Sequence, residues 1–235
     1  MAFGSLFLIP TPIGDEELSL YLPQATIDVV NCCDCYVVEE FRTARRFLKK
    51  AAIKKPIDDL TFFVLNEHTA PSEIAAYLEP IYQGSNLGLM SEAGLPCVAD
   101  PGWQLVALAQ SEHIPVVPLV GPSSLMLALM SSGFTGQSFA FSGYLPVEKS
   151  ERVKALRELE TKVYKYDQTQ IFIEAPYRND RLLQQIIEIC KPDTKLCIAA
   201  EVMTGNALIE TRPLWDWQQH IPNLHKRNTV FVLGK

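Results

Sequence analysis

Short apolar runs set the rhythm of the first half of the chain. Leu6–Ile9, Tyr36–Glu39, Phe62–Leu65, Leu87–Met90 and Val116–Leu119 each read as a strand, and helix-like spacing follows each one. Runs that barely alternate with polar residues predict strands covered on both faces, as in a parallel sheet clothed by helices. After Gly133 the pattern changes. FAFSGYL, QIFIEAP, KLCIAAEVM, ALIETRPLWDW and NTVFVLGK are five strand-like pieces with two or three helices among them, which predicts a mixed sheet with antiparallel members. The expected fold class is α/β, in two α/β domains of similar size covering residues 1–120 and 121–235. No internal repeat or low-complexity tract interrupts either half.

Two helix starts look well marked. In Asp100-Pro101-Gly102 the acid reads as an N-cap and Pro101 as a first-turn residue; in Gly121-Pro122-Ser123-Ser124, Pro122 reads as the first helical position. Both are strand–turn–helix junctions, where backbone N–H groups can meet a ligand. The stretch before the first of them, Ser91-Glu92-Ala93-Gly94-Leu95-Pro96-Cys97-Val98-Ala99, carries almost no bulk. A fold gains little packing from such a segment, so the space it leaves asks for an explanation.

Composition narrows the classes. With 48% hydrophobic and 20% charged residues among 235, the chain can bury a core and is not a disordered segment. A formal net charge of −6 argues against a surface that coats nucleic acid throughout, while leaving room for a local basic patch. No apolar run is long enough to span a membrane, and MAFGSLFLIPTPIGDEE lacks the basic start of a secretory signal, so a cytoplasmic protein is expected. The six cysteines should then be reduced; Cys32, Cys33 and Cys35 read as buried small residues, with neither a disulfide nor a metal site expected.

Several segments could carry chemistry. IPTPIGD, residues 9–15, is a stiff, slender turn after the first strand, and matches neither GxGxxG nor a phosphate loop. A triad of Ser91 with His68 or His113 and Asp100 lacks the GxSxG frame of a nucleophile elbow. EEFRTARRFLKK, residues 39–50, would place Arg42, Arg45, Arg46 and Lys49 on neighbouring helix faces, as a solvated stripe or a phosphate-contacting one. Met126 and Met130, at i and i+4, read as core filling. IFIEAPYR, residues 171–178, could hold a heterocycle or merely turn the chain.

Taken in order, IPTPIG, EExR, SEAGLPCVADPG, PLVGPSS, FSGYLP, IEAPYR and AAE resemble the tetrapyrrole-methylase superfamily of S-adenosylmethionine-dependent methyltransferases. Within it the chain is most similar to the ribosomal RNA small-subunit methyltransferase I family, which methylates a cytidine 2′-hydroxyl. The resemblance implies S-adenosylmethionine in a cleft between two α/β domains, a ribosomal RNA or small-subunit substrate, and a homodimer. It implies that Pro12 and Gly14 lie in the first cofactor-facing loop, and that Ala93, Gly94, Pro96, Val98 and Ala99 wall the methionine and ribose. It further implies hydrogen bonds from Ser123 and Ser124, Pro176 and Tyr177 near the adenine, and main-chain contacts from Ala199 and Ala200. For a hydroxyl acceptor, Glu40 and Glu92 are the candidate bases, with Arg42 orienting an anionic substrate.

The chain departs from that family on the substrate side. Glu40, Phe41, Thr43 and Ala44 stand where the family reads Asp, Thr, His and Thr; Glu92 replaces an aspartate, and Ala200 an arginine. Val147 and Glu148 precede Lys149 where a strongly basic stretch is usual. An RNA ribose methyltransferase predicts a basic groove joining the Arg42–Lys49 stripe to Lys149, Arg152 and Lys154. A small-molecule methylase predicts a closed apolar pocket instead, and a non-catalytic binding protein a cleft blocked by larger residues such as Phe41.

Overall fold

The apolar runs become strands within a residue of where the pattern puts them. In the computed structural model, which describes residues 3–235, β1 (Leu6–Ile9), β2 (Cys35–Val38), β3 (Thr61–Val64), β4 (Leu87–Met90) and β5 (Val116–Pro118) form one parallel sheet. Their order is β3-β2-β4-β1-β5. All four residues of β2 and of β4 are buried, which is why these two strands read as unbroken apolar runs. The edge strands are partly open, and Pro118, which has no N–H to give, ends one of them. Gly88 in β4 lets its neighbours close in: a Cβ there would lie 2.6 Å from Ile9 Cδ1 and 2.9 Å from Tyr36 Cδ1.

Each face of this sheet has its own core. α1 (Gln24–Val30) and α2 (Phe41–Lys50) cover one, packing Val30, Phe47 and Leu48 against Ile9, Tyr36 and Met90. α3 (Pro71–Ile74), the turn Ala75–Leu78, α4 (Glu79–Tyr82) and α5 (Trp103–Ser111) cover the other, where Ile74, Leu78, Leu105 and Ala109 meet Leu65 and Leu89. The chain therefore leaves β1 toward one face and its neighbour β4 toward the other. In an open α/β sheet that reversal opens a crevice at the carboxyl ends of the two strands.

The second unit is built on β6 (Phe139–Tyr144), β7 (Thr169–Ile173), β8 (Lys195–Ala200), β9 (Leu208–Pro213) and β10 (Thr229–Gly234), in the order β6-β7-β10-β8-β9. Only β6 and β7 run parallel; the other three pairings are antiparallel. α6 (Ser124–Ser132) packs Leu125, Ala128 and Leu129 on one face, and α7 (Lys149–Tyr166), α8 (Asn179–Ile189) and α9 (Leu214–Trp217) bury the other around Phe172 and Phe231. Contacts divide the chain into Met1–Ser123 and Ser124–Lys235.

Four local expectations are corrected. Met130 is 77% exposed and Met126 41%, so neither fills the core of α6; a helix apolar on every side gives no stripe from which its buried face can be read. Pro122 lies two residues before α6 rather than at its first position. Asp100 does not cap α5, which starts at Trp103 with Gly102 ahead of it. Cys32 is exposed, while Cys33 and Cys35 are buried; all six thiols are free.

Candidate functional site

The loops after β1 and β4 are stitched together at the crevice. Thr11 N–H donates to the Gly94 carbonyl at 2.9 Å, and Gly94 N–H returns a bond to the Thr11 carbonyl at 3.1 Å. The hydroxyls of the same segment are spent locally, Thr11 Oγ1 on the Ser91 carbonyl (3.2 Å) and Ser91 Oγ on the Gly94 carbonyl (3.3 Å). Asp100 staples the far end of the loop, accepting from Cys97 N–H at 2.8 Å and Gly102 N–H at 2.7 Å. The backbone is held left-handed at Gly94 (φ 81°), Cys97 (φ 68°) and Ala99 (φ 62°). Such conformations cost a non-glycine residue of order 1 kcal/mol and gather where a fold shapes its backbone for a ligand.

This arrangement brings most of the expected cofactor residues of the first unit together. Pro12 and Gly14 are half-buried on the β1 loop; Gly94 and Pro96 are buried on the β4 loop, with Ala93, Val98 and Ala99 exposed beside them. Ser123 is half-buried at the end of this unit. In the second unit Ser124 opens α6, Pro176 starts a short turn after β7, and Tyr177 is 66% exposed with the Arg178 guanidinium 5.5 Å from its ring centre. Ala199 and Ala200 are fully buried in β8 and flanked by paired strands on both sides, so the sheet takes up their main-chain groups.

Carboxylates dominate the electrostatics. Glu39, at the end of β2, is pushed up to about 7 by burial and by the nearby charges of Asp100 and Glu92, and its Oε1 lies 3.4 Å from Glu92 N. Burial also raises Asp100, and burial with the Asp100 charge lifts the Cys97 thiol to about 12. Glu40 faces solvent and caps α2: its carboxylate accepts from Thr43 N–H at 2.9 Å, and such backbone bonds hold it below its ordinary value. Glu39, Glu92 and Asp100 share one open hollow with Trp103. Sequence reasoning passed over Glu39 as a neighbour of Glu40. The available signal was its position as the first residue past a fully apolar strand, where a side chain still stands in the sheet's shadow.

Other candidates do not assemble. Ser91 is hydrogen-bonded to its own loop, His68 lies beside the exposed Glu67, and His113 sits in the turn after α5, so no triad forms around Asp100. Phe41 does not block the crevice; it packs edge-on against Phe62, 4.9 Å between centroids. Arg152 is buried and spends its guanidinium on Gln185 Oε1 (2.6 Å) and the carbonyls of Pro146 and Val147 (both 2.9 Å), while Lys154 pairs with Glu151. Neither is free to extend a basic groove. Among the described residues, no group of three His, Cys, Asp or Glu side chains could hold a metal ion, and no helix is long and apolar enough to cross a membrane.

A parallel sheet and a mixed sheet of these topologies define a known class. The fold is that of the methyltransferase CobJ, whose crystal structure matches with a TM-score of 0.65 at 17% identity over 99% of this chain and 94% of that one. Cobalt precorrin-4 methyltransferase CbiF matches at 0.61 and 13% identity, over 98% and 94%. No family model matches the chain. Its relatives are more specific. It is 30% identical over 231 residues to ribosomal RNA small subunit methyltransferase I of Vibrio cholerae, covering 97% of this chain and 76% of that protein. Against the protein of the same name from Thermotoga maritima it is 34% identical over 200 residues, covering 85% and 83%. The chain belongs to the ribosomal RNA small subunit methyltransferase I family, and its activity is methyl transfer.

Proposed function

We propose that the chain transfers a methyl group from S-adenosylmethionine to a ribose 2′-hydroxyl of ribosomal RNA in the small ribosomal subunit, as a cytoplasmic homodimer. The crevice between β1 and β4 carries this reading. It is walled by backbone and small side chains where the strands diverge, and the carboxylates Glu39, Glu92 and Asp100 line the hollow beside its β4 loop. A cationic sulfonium ligand with an amino-acid end and an adenosine suits such a wall: close backbone, little bulk and negative charge nearby. A Cβ on Gly94 would stand 3.4 Å from Ile13 Cγ2 and 3.5 Å from the Pro122 carbonyl, so the slot has room for a slender group and no more.

Bound there, S-adenosylmethionine supplies a methyl already activated on sulfur. The protein's part is alignment and proton handling. Pro12, Gly14, Ala93, Gly94, Pro96, Val98 and Ala99 would hold the methionine and ribose, Ser123 and Ser124 would offer hydroxyls, and Pro176 and Tyr177 would lie near the adenine, whereas Ala199 and Ala200 have their main-chain groups paired within the sheet. A base at the crevice would take the proton that the acceptor hydroxyl gives up. Among the candidate bases, Glu39 and Glu92 outrank Glu40, whose carboxylate is committed to capping α2. Arg42 orients the acceptor.

The commitment of Arg152 and Lys154 within their own unit favours a second reading, a small-molecule acceptor that needs no long basic track. Labelled methyl from S-adenosylmethionine, offered to small ribosomal subunits that lack the modification, separates the two. The RNA reading expects stoichiometric label on one ribose. Label that never enters RNA, from a protein that binds the cofactor, would give the acceptor to small-molecule chemistry. Sedimentation velocity tests the dimer.

A further inference from the structure

Beside the crevice, on the α2 side of the sheet, lies a recess of about 110 Å³ with an unusual distribution of charge. Its floor is apolar, made by Val38, Ala44, Phe47 and Met90, and one rim is the β1 loop from Thr11 to Asp15. Arg46 and Lys50 stand on its α2 wall, four residues apart and so on one helix face. Lys50 Nζ is held over the loop by the Asp15 carbonyl at 3.1 Å, and Arg46 makes no ion pair with any described residue. Asp15 and Glu92 also reach the rim, yet neither pairs with these cations. Arg45, on the other side of α2, is by contrast committed to Asp58 at 2.9 Å. What sets these two cations apart is their placement: both stand over one recess beside the crevice loops, with no described carboxylate paired to either, where an external anion could be met by both.

We propose that Arg46 and Lys50 form an oxyanion subsite that takes a backbone phosphate of the acceptor RNA. The inference rests on the RNA reading above and adds to it where the acceptor strand is gripped. The recess shares Thr11, Pro12, Gly14, Ser91 and Glu92 with the crevice loops, so a phosphate held there lies next to the nucleotide presented for methylation. The apolar floor suits the sugar edge that accompanies a phosphodiester. The methionine carboxylate of the cofactor is the other oxyanion within reach, and the two sources differ in what their loss would do.

The test compares the unaltered protein with the Arg46→Ala/Lys50→Ala variant, using small ribosomal subunits that lack the modification. Filter binding across a salt series should show affinity down about tenfold at near-physiological salt and a salt slope shallower by about 0.8, as the loss of one neutralised phosphate requires. Affinity for S-adenosylmethionine by calorimetry should stay within about twofold, with an unchanged thermal midpoint. The swap Arg46→Lys/Lys50→Arg should keep the slope. Arg45→Ala/Lys49→Ala removes the same charge outside the recess and should change the slope far less. Equal loss in both alanine variants, or unchanged RNA binding, would overturn the subsite. Weakened cofactor binding with RNA binding intact would overturn it in favour of the methionine carboxylate. If the unaltered protein binds no subunit at all, the RNA reading itself has failed and the subsite falls with it.

Discussion

Among the carboxylates beside the crevice, Glu39 is the one whose chemistry the fold changes most. Burial and two neighbouring carboxylates raise it to about 7, so its charge is disfavoured in the folded state and it becomes a competent proton acceptor near neutrality. The base must be ionised, so the methyl-transfer rate of the unaltered protein should climb as pH rises through about 7. Glu39→Gln should remove that limb and lower kcat by on the order of 100-fold. Stability runs the other way. The unfolded chain sheds this proton at the ordinary carboxylate pH and the folded chain holds it longer, so Glu39 contributes less stability as pH rises between the two values. Glu39→Gln should therefore melt above the unaltered protein at pH 8, with the gap closing toward pH 5. The left-handed Ala99 makes a second residue-scale prediction. Ala99→Gly should be neutral or stabilising by up to about 1 kcal/mol in denaturant unfolding. Ala107→Gly, on the exposed face of α5, should cost about 1 kcal/mol. At this scale the sequence was read unevenly. Ala93, Gly94 and Pro96 announced themselves by lack of bulk, whereas Glu39 and the stapling role of Asp100 depend on neighbours far along the chain.

Elements were more legible than residues because their signal is spread over several positions. β1 and β4 begin and end where their apolar runs do, and β2 and β3 are displaced by one residue. Helix starts misled where an acid and a proline stood together. Asp-Pro-Gly reads as a cap, but here the acid turns back on the loop to hold Cys97 N–H as well as Gly102 N–H, and the helix begins later. At α2 the true cap is Glu40. Glu40→Gln should lower the thermal midpoint near neutral pH. The backbone bonds that depress Glu40 stabilise only its ionised form, so the difference should vanish as pH falls through the carboxylate range. The buried Arg152 was read as a surface cation because long basic residues seldom lie inside; its three partners lie on two separate segments, which no helical spacing shows.

At the scale of the whole chain, the change from continuous to mixed strand patterning after Gly133 corresponds to the change from an all-parallel to a mixed sheet. The order of motifs carried the family because each is short but their sequence is long. What one chain could not show is how its few cations are divided. Arg152, Lys154 and Arg45 are spent on partners away from the crevice, whereas Arg46 and Lys50 stand over the recess beside it without a carboxylate partner. The central claim is that the small-residue loop between β4 and α5 is the cofactor wall. Titration calorimetry of S-adenosylmethionine into the unaltered protein and into Ala93→Trp tests it most directly, since Ala93 is exposed and a larger side chain there need not disturb the core. The account predicts one binding event for the unaltered protein, and its loss in the variant with the thermal midpoint preserved. No heat from the unaltered protein, or undiminished affinity in Ala93→Trp, would contradict it.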